Sequence, residues 1–258
     1  MRRHAGVLAT VALAAAHGAA SVQSSCGGLA PTGTLRVGVY PGSPSSMIRD
    51  PKTGEARGVT VEVGKALAEK LGVPANLVER ARVADVVDDI KGGAVDLTIT
   101  NATPARARDV DFGPTLLTFE LGYLVSAGSR IHTIADMGGP GVRVGVTKGG
   151  TSERTLPKLL PNATIRPAAG IAEAIDMLGR GEIEAYATNK PTLFEMSDSL
   201  PGSRVLDGRW GAEHLAAAIP KGREGLDCLR RFSDEARTSG LVSDAAVRAG
   251  MRGLVKDE

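Results

Sequence analysis

The sequence predicts an α/β protein of two similar lobes, each a mostly parallel sheet flanked by helices, joined by two strand crossings. Three observations carry this. The chain repeats itself: Leu35-Arg36-Val37-Gly38-Val39 recurs as Val142-Arg143-Val144-Gly145-Val146, and Asp88 through Asn101 aligns with Asp176 through Asn189 in the same order. In both copies of the longer match a helix closes on Gly, a short strand follows, and the strand ends in Thr-Asn. Apolar residues also fall at helical spacing between the strands, the pattern of βαβ units.

The elements follow in order. Arg2 and Arg3, the apolar run Ala5 to Ala16 and the small residues Gly18, Ala19 and Ala20 read as an export signal over residues 1–20. About a dozen apolar residues are too few to span a bilayer. A leader over 21–32 carries Cys26. A first strand at 35–39 ends in Tyr40. Val59, Val63, Ala66, Leu67 and Leu71 make one helical face, with Gly72 as its C-terminal cap. Val83, Val86, Val87 and Ile90 make a second stripe, and Ile171, Ala174, Ile175 and Leu178 a third. Leu116 to Ser126 is strand-like, and Leu215 to Ile219 reads as a return crossing. C-terminal helices bearing Leu226, Leu229, Phe232 and Ala236 then pack back on the first lobe. The expected division is lobe 1 at 33–117 plus 220–258 and lobe 2 at 118–219, with crossings near 116–124 and 213–219.

The chain has 258 residues, ample for a sizeable core, and an ordinary 42% of apolar residues. Removing residues 1–20 takes two Arg and no acid, so the formal charge falls from +2 to 0. A neutral chain with 3% aromatics gives no support to nucleic-acid binding, which needs a clustered basic face and stacking rings. Cys26 and Cys228 would both reach an oxidising compartment. They either form a disulfide, or Cys228 stays a buried thiol with Cys26 free or lipidated. Gln23-Ser24-Ser25-Cys26 is a poor lipidation signal, lacking an aliphatic residue three places before the Cys.

The most informative segment is Thr98-Ile99-Thr100-Asn101-Ala102-Thr103-Pro104-Ala105-Arg106. An alternating strand ends in Asn101, Thr103 and Pro104, at the kind of edge where ligands collect in α/β sheets, and Arg106 follows. A guanidinium there is the preferred partner of a carboxylate. The repeat sets Asn101 and Asn189 opposite each other. The loop Lys148-Gly149-Gly150-Thr151-Ser152-Glu153 follows a strand and opens a helix, so glycines admit a ligand, Thr151 or Ser152 can cap the helix, and its free N–H groups favour an anion. It does not match G-x-x-x-x-G-K-[ST], so nucleotide phosphate is not indicated. Scattered His and Cys supply no metal site, and no catalytic triad motif occurs; no cofactor is expected.

These motifs, together with Gly33 to Val39, Gly58 to Val63 and Ile134-Ala135-Asp136-Met137, resemble the family 3 extracytoplasmic solute-binding proteins, the amino-acid-type receptors of bacterial ABC transporters. The T-x-x-R-x-x-x-x-x-F pattern of that family falls on Thr103, Arg106 and Phe112. The resemblance implies a type II periplasmic-binding fold whose lobes close on a solute, an inner-membrane ABC permease as partner, a monomer, and a periplasmic location. It implies that Arg106 and Thr151 bind the ligand carboxylate, with Lys148 and Asn101 contributing and Gly150 and Ser152 in the same loop.

The departures are informative. The acid that receives an α-ammonium in the family falls at Asn189, and the aromatic sandwich falls near Ser43 and at Val83. An amide cannot replace the charge attraction of a carboxylate. The expected solute is therefore an anionic or polar carboxylate, such as a hydroxy, keto or dicarboxylic acid, rather than a standard α-amino acid. Binding of an amino acid through a rearranged pocket is the alternative. Tyr40 and Trp210 are candidates to replace ring surface, with packing in the core or at the rim as their competing role, and Lys190 reads as a solvated charge. Cyclohexadienyl dehydratases look like this fold turned enzyme, but they place a general acid at the position of Asn189, which disfavours that reading. A periplasmic sensor subunit is a further alternative.

Overall fold

A computed structural model describes residues 26–254. The proposed export signal and the leader up to residue 25 lie outside the described residues. The strands are β1 (Leu35–Val39), β2 (Ile48–Arg49), β3 (Ala56–Arg57), β4 (Ala75–Glu79), β5 (Thr98–Asn101), β6 (Val110–Val125), β7 (Arg143–Thr147), β8 (Thr164–Ala168), β9 (Ala185–Asn189), β10 (Arg204–Val205) and β11 (Gly211–Pro220). The α-helices are α1 (Val59–Leu71), α2 (Val83–Gly92), α3 (Thr151–Leu159), α4 (Ile171–Gly179), α5 (Lys190–Asp198), α6 (Leu226–Thr238) and α7 (Leu241–Arg248).

The repeat is visible as architecture. In the first half β1 pairs in parallel with β4, and Val37 bridges in parallel to Leu97 just before β5. In the second half β7 pairs in parallel with both β8 and β9. The parallel pairs join elements separated by helices, as a crossover requires. Antiparallel pairing enters through β6 and β11, which run along each other for most of their lengths. Strand β11 also pairs with β5, and β6 with β9, so these two strands traverse both halves.

An ion pair recurs with the repeat. Asp96 accepts from the Arg36 backbone N–H at 2.9 Å and from its Nε at 2.8 Å. At the equivalent place Glu184 accepts from the Arg143 backbone N–H at 2.7 Å and from its Nε at 3.0 Å. Each pair fastens the start of one strand to the segment just before a later strand, Asp96 before β5 and Glu184 before β9.

The apolar stripes form core. Val59, Val63 and Leu67 of α1 pack with Leu35, Val37 and Leu97, and with Leu229, Phe232 and Ala236 of α6. The C-terminal helices thus return to the first half, as their apolar spacing predicts. Ala174 and Leu178 of α4 pack instead with Ile183, Tyr186 and Leu193. Gly72 caps α1 at φ 70°, a left-handed conformation that glycine adopts without a Cβ penalty. Cys26 and Cys228 form a disulfide with Cα atoms 5.5 Å apart, tying the first described residue to α6. This resolves the open cysteine alternatives in favour of the bridge.

Candidate functional site

A cavity of about 60 Å³ lies between the two halves, enough for a few water-sized molecules. Strand ends and helix starts supply its lining. Tyr40 and Ser43 follow β1, Thr100 ends β5, Gly150, Thr151 and Ser152 open α3, and Asn189 ends β9.

Arg106 sits in a 3₁₀ turn over Arg106–Arg108 and is only 7% exposed. The turn is fixed locally, because Thr103 Oγ1 accepts the Arg106 backbone N–H at 3.2 Å. Its Nη1 donates to Thr100 Oγ1 at 2.7 Å and to the Asn101 carbonyl at 3.3 Å. Among the described residues, the fully buried side-chain polar atoms without a partner are Ser203 Oγ and Ser233 Oγ. The Arg106 donors that make no hydrogen bond are thus on the cavity surface. Burial pulls the guanidinium below its ordinary pKa, opposed by the charge of Glu213.

Glu213 was not anticipated from the sequence. It lies on β11, lines the same cavity, and takes a hydrogen bond at each carboxylate oxygen. Asn101 Nδ2 donates to Oε1 at 3.5 Å and Asn189 Nδ2 to Oε2 at 3.3 Å. Both amides are oriented by backbone. Asn101 Oδ1 accepts the His214 N–H at 3.1 Å, and Asn189 Oδ1 accepts the Thr192 N–H at 3.1 Å, the latter capping α5. With each amide oxygen so engaged, it is the NH₂ that faces Glu213. Desolvation pushes the Glu213 carboxyl above its ordinary pKa, while Arg106 and the bonds from Asn189, Thr151 and Asn101 act against it. Among the described residues neither Arg106 nor Glu213 belongs to a salt bridge.

The halves also touch around the cavity. Asn101 Nδ2 donates to Thr151 Oγ1 at 3.2 Å, and the Ser43 and Thr192 hydroxyls lie 3.1 Å apart. The expectation that Thr151 or Ser152 caps α3 is corrected. The N-cap is Gly150, and no side chain caps the helix. Thr151 is already inside the first turn and its hydroxyl meets Asn101 instead, which leaves the N–H groups of that turn toward the cavity side.

Of the residues singled out in sequence, Arg106, Thr151, Asn189, Gly150, Ser152, Tyr40 and Ser43 line the cavity. Asn101 stands at its edge, bonded to Glu213. Thr103 lies behind Arg106 as a turn-forming acceptor. Lys148 is exposed and outside the lining. Lys190 is not a free solvated charge, since its Nζ meets Glu120 Oε2 at 2.5 Å. Trp210 packs 6.2 Å from Tyr123 and donates its ring N–H to the Gly122 carbonyl, so it belongs to the second-half core.

Residues 35–249 match the family model described as bacterial extracellular solute-binding proteins, family 3. A glutamine-binding protein of Geobacillus stearothermophilus is 28% identical over 170 residues, and the match covers 64% of each chain, so the chain spans somewhat under two thirds of that relative. Among solved structures, an ancestral amino acid-binding protein, a precursor of cyclohexadienyl dehydratase, is 26% identical with a TM-score of 0.74, covering 88% of this chain and 98% of that one. A solute receptor for L-cysteine of Neisseria gonorrhoeae is 26% identical with a TM-score of 0.76, covering 89% and 92%. The family match extends over both repeats and every strand that builds the cavity, and the chain belongs to the bacterial extracellular solute-binding proteins of family 3.

Proposed function

We propose that this chain is the solute-capturing component of an ABC importer, exported to the periplasm, and that its two lobes close on a small carboxylate-bearing solute. The observation that carries the reading is Arg106, a nearly buried cation with donors left on the surface of an interlobe cavity. A planar fork in a desolvated cleft pairs best with a carboxylate. The start of α3 adds backbone donors on the opposite lobe, which favours the same charge. The β6 and β11 strands serve as the hinge, lobe 1 comprising 33–117 plus 220–258 and lobe 2 comprising 118–219. A monomer delivering its load to an inner-membrane permease is the assembly proposed, and the relatives named for binding glutamine, cysteine or amino acids support a receptor rather than an enzyme.

The preference for a solute without an ammonium group rests on the neutral amide of Asn189 and on the missing aromatic sandwich. Against it, an acid, Glu213, stands in the cavity, one hydrogen bond from Asn189. It equally weakens the reason given against a catalytic cleft, so turnover is to be monitored alongside binding. A thermal-shift screen of the mature chain against amino, hydroxy, keto and dicarboxylic acids, with Arg106→Ala beside it, tests the reading. An Arg106-dependent rise in melting temperature with carboxylates supports it. Shifts with uncharged solutes alone, or shifts indifferent to Arg106, contradict it.

A further inference from the structure

We propose that Arg252, on the C-terminal segment after α7, is a positioning residue for solute capture: it clips helix α5 of the second lobe to the first lobe and biases the cleft toward its closed form. The inference rests on the reading of two lobes that close on a solute, and adds a control point remote from the cavity.

The segment is built to reach α5. Helix α7 ends in a paired turn, in which the Gly250 N–H donates to the Val247 carbonyl at 2.9 Å and the Met251 N–H to the Ala246 carbonyl at 2.9 Å. Gly250, at φ 65°, supplies the left-handed residue that this helix ending needs. Met251 and Leu254 pack on the first-half core, and Leu254 forms an antiparallel bridge with Phe119 of β6. Between them, Arg252 and Gly253 meet α5 instead. A Cβ on Gly253 would stand 3.0 Å from the Lys190 Cβ and 3.1 Å from Phe194 Cε2, so the chain runs directly over the helix. Arg252 donates to both oxygens of Asp198, Nη1 to Oδ1 at 3.2 Å and Nη2 to Oδ2 at 2.5 Å. Its guanidinium carbon lies 5.1 Å from the centre of the Phe194 ring, and Nη2 lies 3.9 Å from Glu195 Oε1. The planar fork thus grips α5 by its edge on a carboxylate and by its face on a ring.

The other end of α5 is at the cavity. Asn189 caps the helix, and both Asn189 and Thr192 line the cavity. There the Thr192 hydroxyl lies 3.1 Å from that of Ser43 in the first lobe. Opening the cleft carries α5 away from Ser43 with the second lobe, while Met251 and Leu254 stay with the first-half core. The Arg252 contacts therefore belong to the closed form, and a contact made in one form alone shifts the equilibrium toward it. Solute affinity rises with the closed fraction, although Arg252 touches no part of the cavity. The Arg252 and Asp198 side chains are 43% and 61% exposed, so the clip is modest and biases closure without locking it.

The test is small-angle X-ray scattering of the solute-free mature chain, comparing wild type, Arg252→Ala, Asp198→Ala and Arg252→Lys, with melting curves confirming that each is folded. The expected result is a larger radius of gyration in Arg252→Ala and Asp198→Ala and an intermediate one in Arg252→Lys, which keeps the charge and loses the fork. Release of L-glutamine and of L-cysteine is then followed by stopped flow, with Arg106→Ala alongside. Release should be about fivefold faster in Arg252→Ala and Asp198→Ala, with association little changed. An equal radius of gyration in wild type, Arg252→Ala and Asp198→Ala overturns the clip, whatever the release rates show, and leaves the Arg106 reading standing. Binding of these two probes that is indifferent to Arg106→Ala overturns the Arg106 reading and leaves the scattering to decide the clip.

Discussion

Asn189 donates its amide to Glu213 at 3.3 Å, joining the end of β9 to the beginning of the return strand. The residue that appears in sequence as a lost acid is thus the hydrogen-bond partner of another acid. That acid, Glu213, lines the cavity from a different element, strand β11.

Solute-free stability should respond to Glu213 with a defined sign. Its folded pKa lies above the ordinary value of 4.5, so the folded state holds more protons than the unfolded state just above that value. Stability contributed by the protonated form is present below 4.5 and is lost as pH rises through the raised folded value. Glu213→Gln removes this loss. The variant should melt higher than wild type at pH 7 and no higher at pH 4, as differential scanning calorimetry across pH would show. A lower melting temperature at pH 7 would mean that Arg106 already outweighs the desolvation of the carboxylate.

Asp96 provides the opposite case. Burial raises its pKa, but hydrogen bonds from Arg36 and Arg223 hold it below the carboxylate range. Its contribution is present above the ordinary value near 3.8 and is lost as pH falls through the depressed one. Asp96→Asn leaves two guanidinium groups unpaired at a side chain with no solvent exposure, at a cost of about 3 kcal/mol. Denaturant unfolding should show this loss, while solute affinity stays unchanged because Asp96 is outside the cavity lining.

The disulfide joins cysteines 202 positions apart in the chain. Replacing both cysteines by serine should destabilise the chain by about 2–5 kcal/mol, chiefly by freeing the unfolded ensemble. Affinity should stay within about twofold, since neither cysteine touches the cavity. A matching pair of melting curves and titrations checks both statements.

Lobe closure should be blocked from the α2 side. A Cβ placed on Gly149 would stand 2.7 Å from the Ala84 Cβ, so the loop before α3 and helix α2 meet with no room to spare. Ala84→Leu adds bulk at that meeting point without straining the backbone. The closed form should be disfavoured and solute affinity should fall about tenfold, with the melting temperature of the solute-free chain little changed. Unaltered affinity would mean that closure does not bring these segments together.

Lys148→Ala should leave affinity within about threefold. The family pattern placed this residue among the ligand contacts, yet its side chain is exposed and outside the cavity. A loss comparable to that of Arg106→Ala would show that Lys148 swings inward on binding.

Much of the fold and part of the candidate site were legible because their signals are local. The stripes of α1 and α4 repeat at helical spacing, Gly72 marks a left-handed cap, and the recurrence of Asp88–Asn101 as 176–189 predicted that two Asn would meet across one cleft. Arg106 and Thr151 were visible because each closes a recognisable motif. Glu213 was not, for a physical reason. It belongs to no motif, its strand Gly211–Pro220 begins in small and polar residues, and its partners come from distant segments of the chain. The one available signal was parity. Strand residues two apart share a face, and Leu215, which also lines the cavity, sits two places beyond Glu213.

The affinity of the best carboxylate solute for wild type and for Arg106→Ala, measured by direct titration on folded protein, bears most directly on capture by Arg106. Loss of about a hundredfold or more is the expected result, because a buried charge-assisted fork is removed from the bound carboxylate. An affinity unchanged within error would place the solute elsewhere and contradict an Arg106-centred cleft.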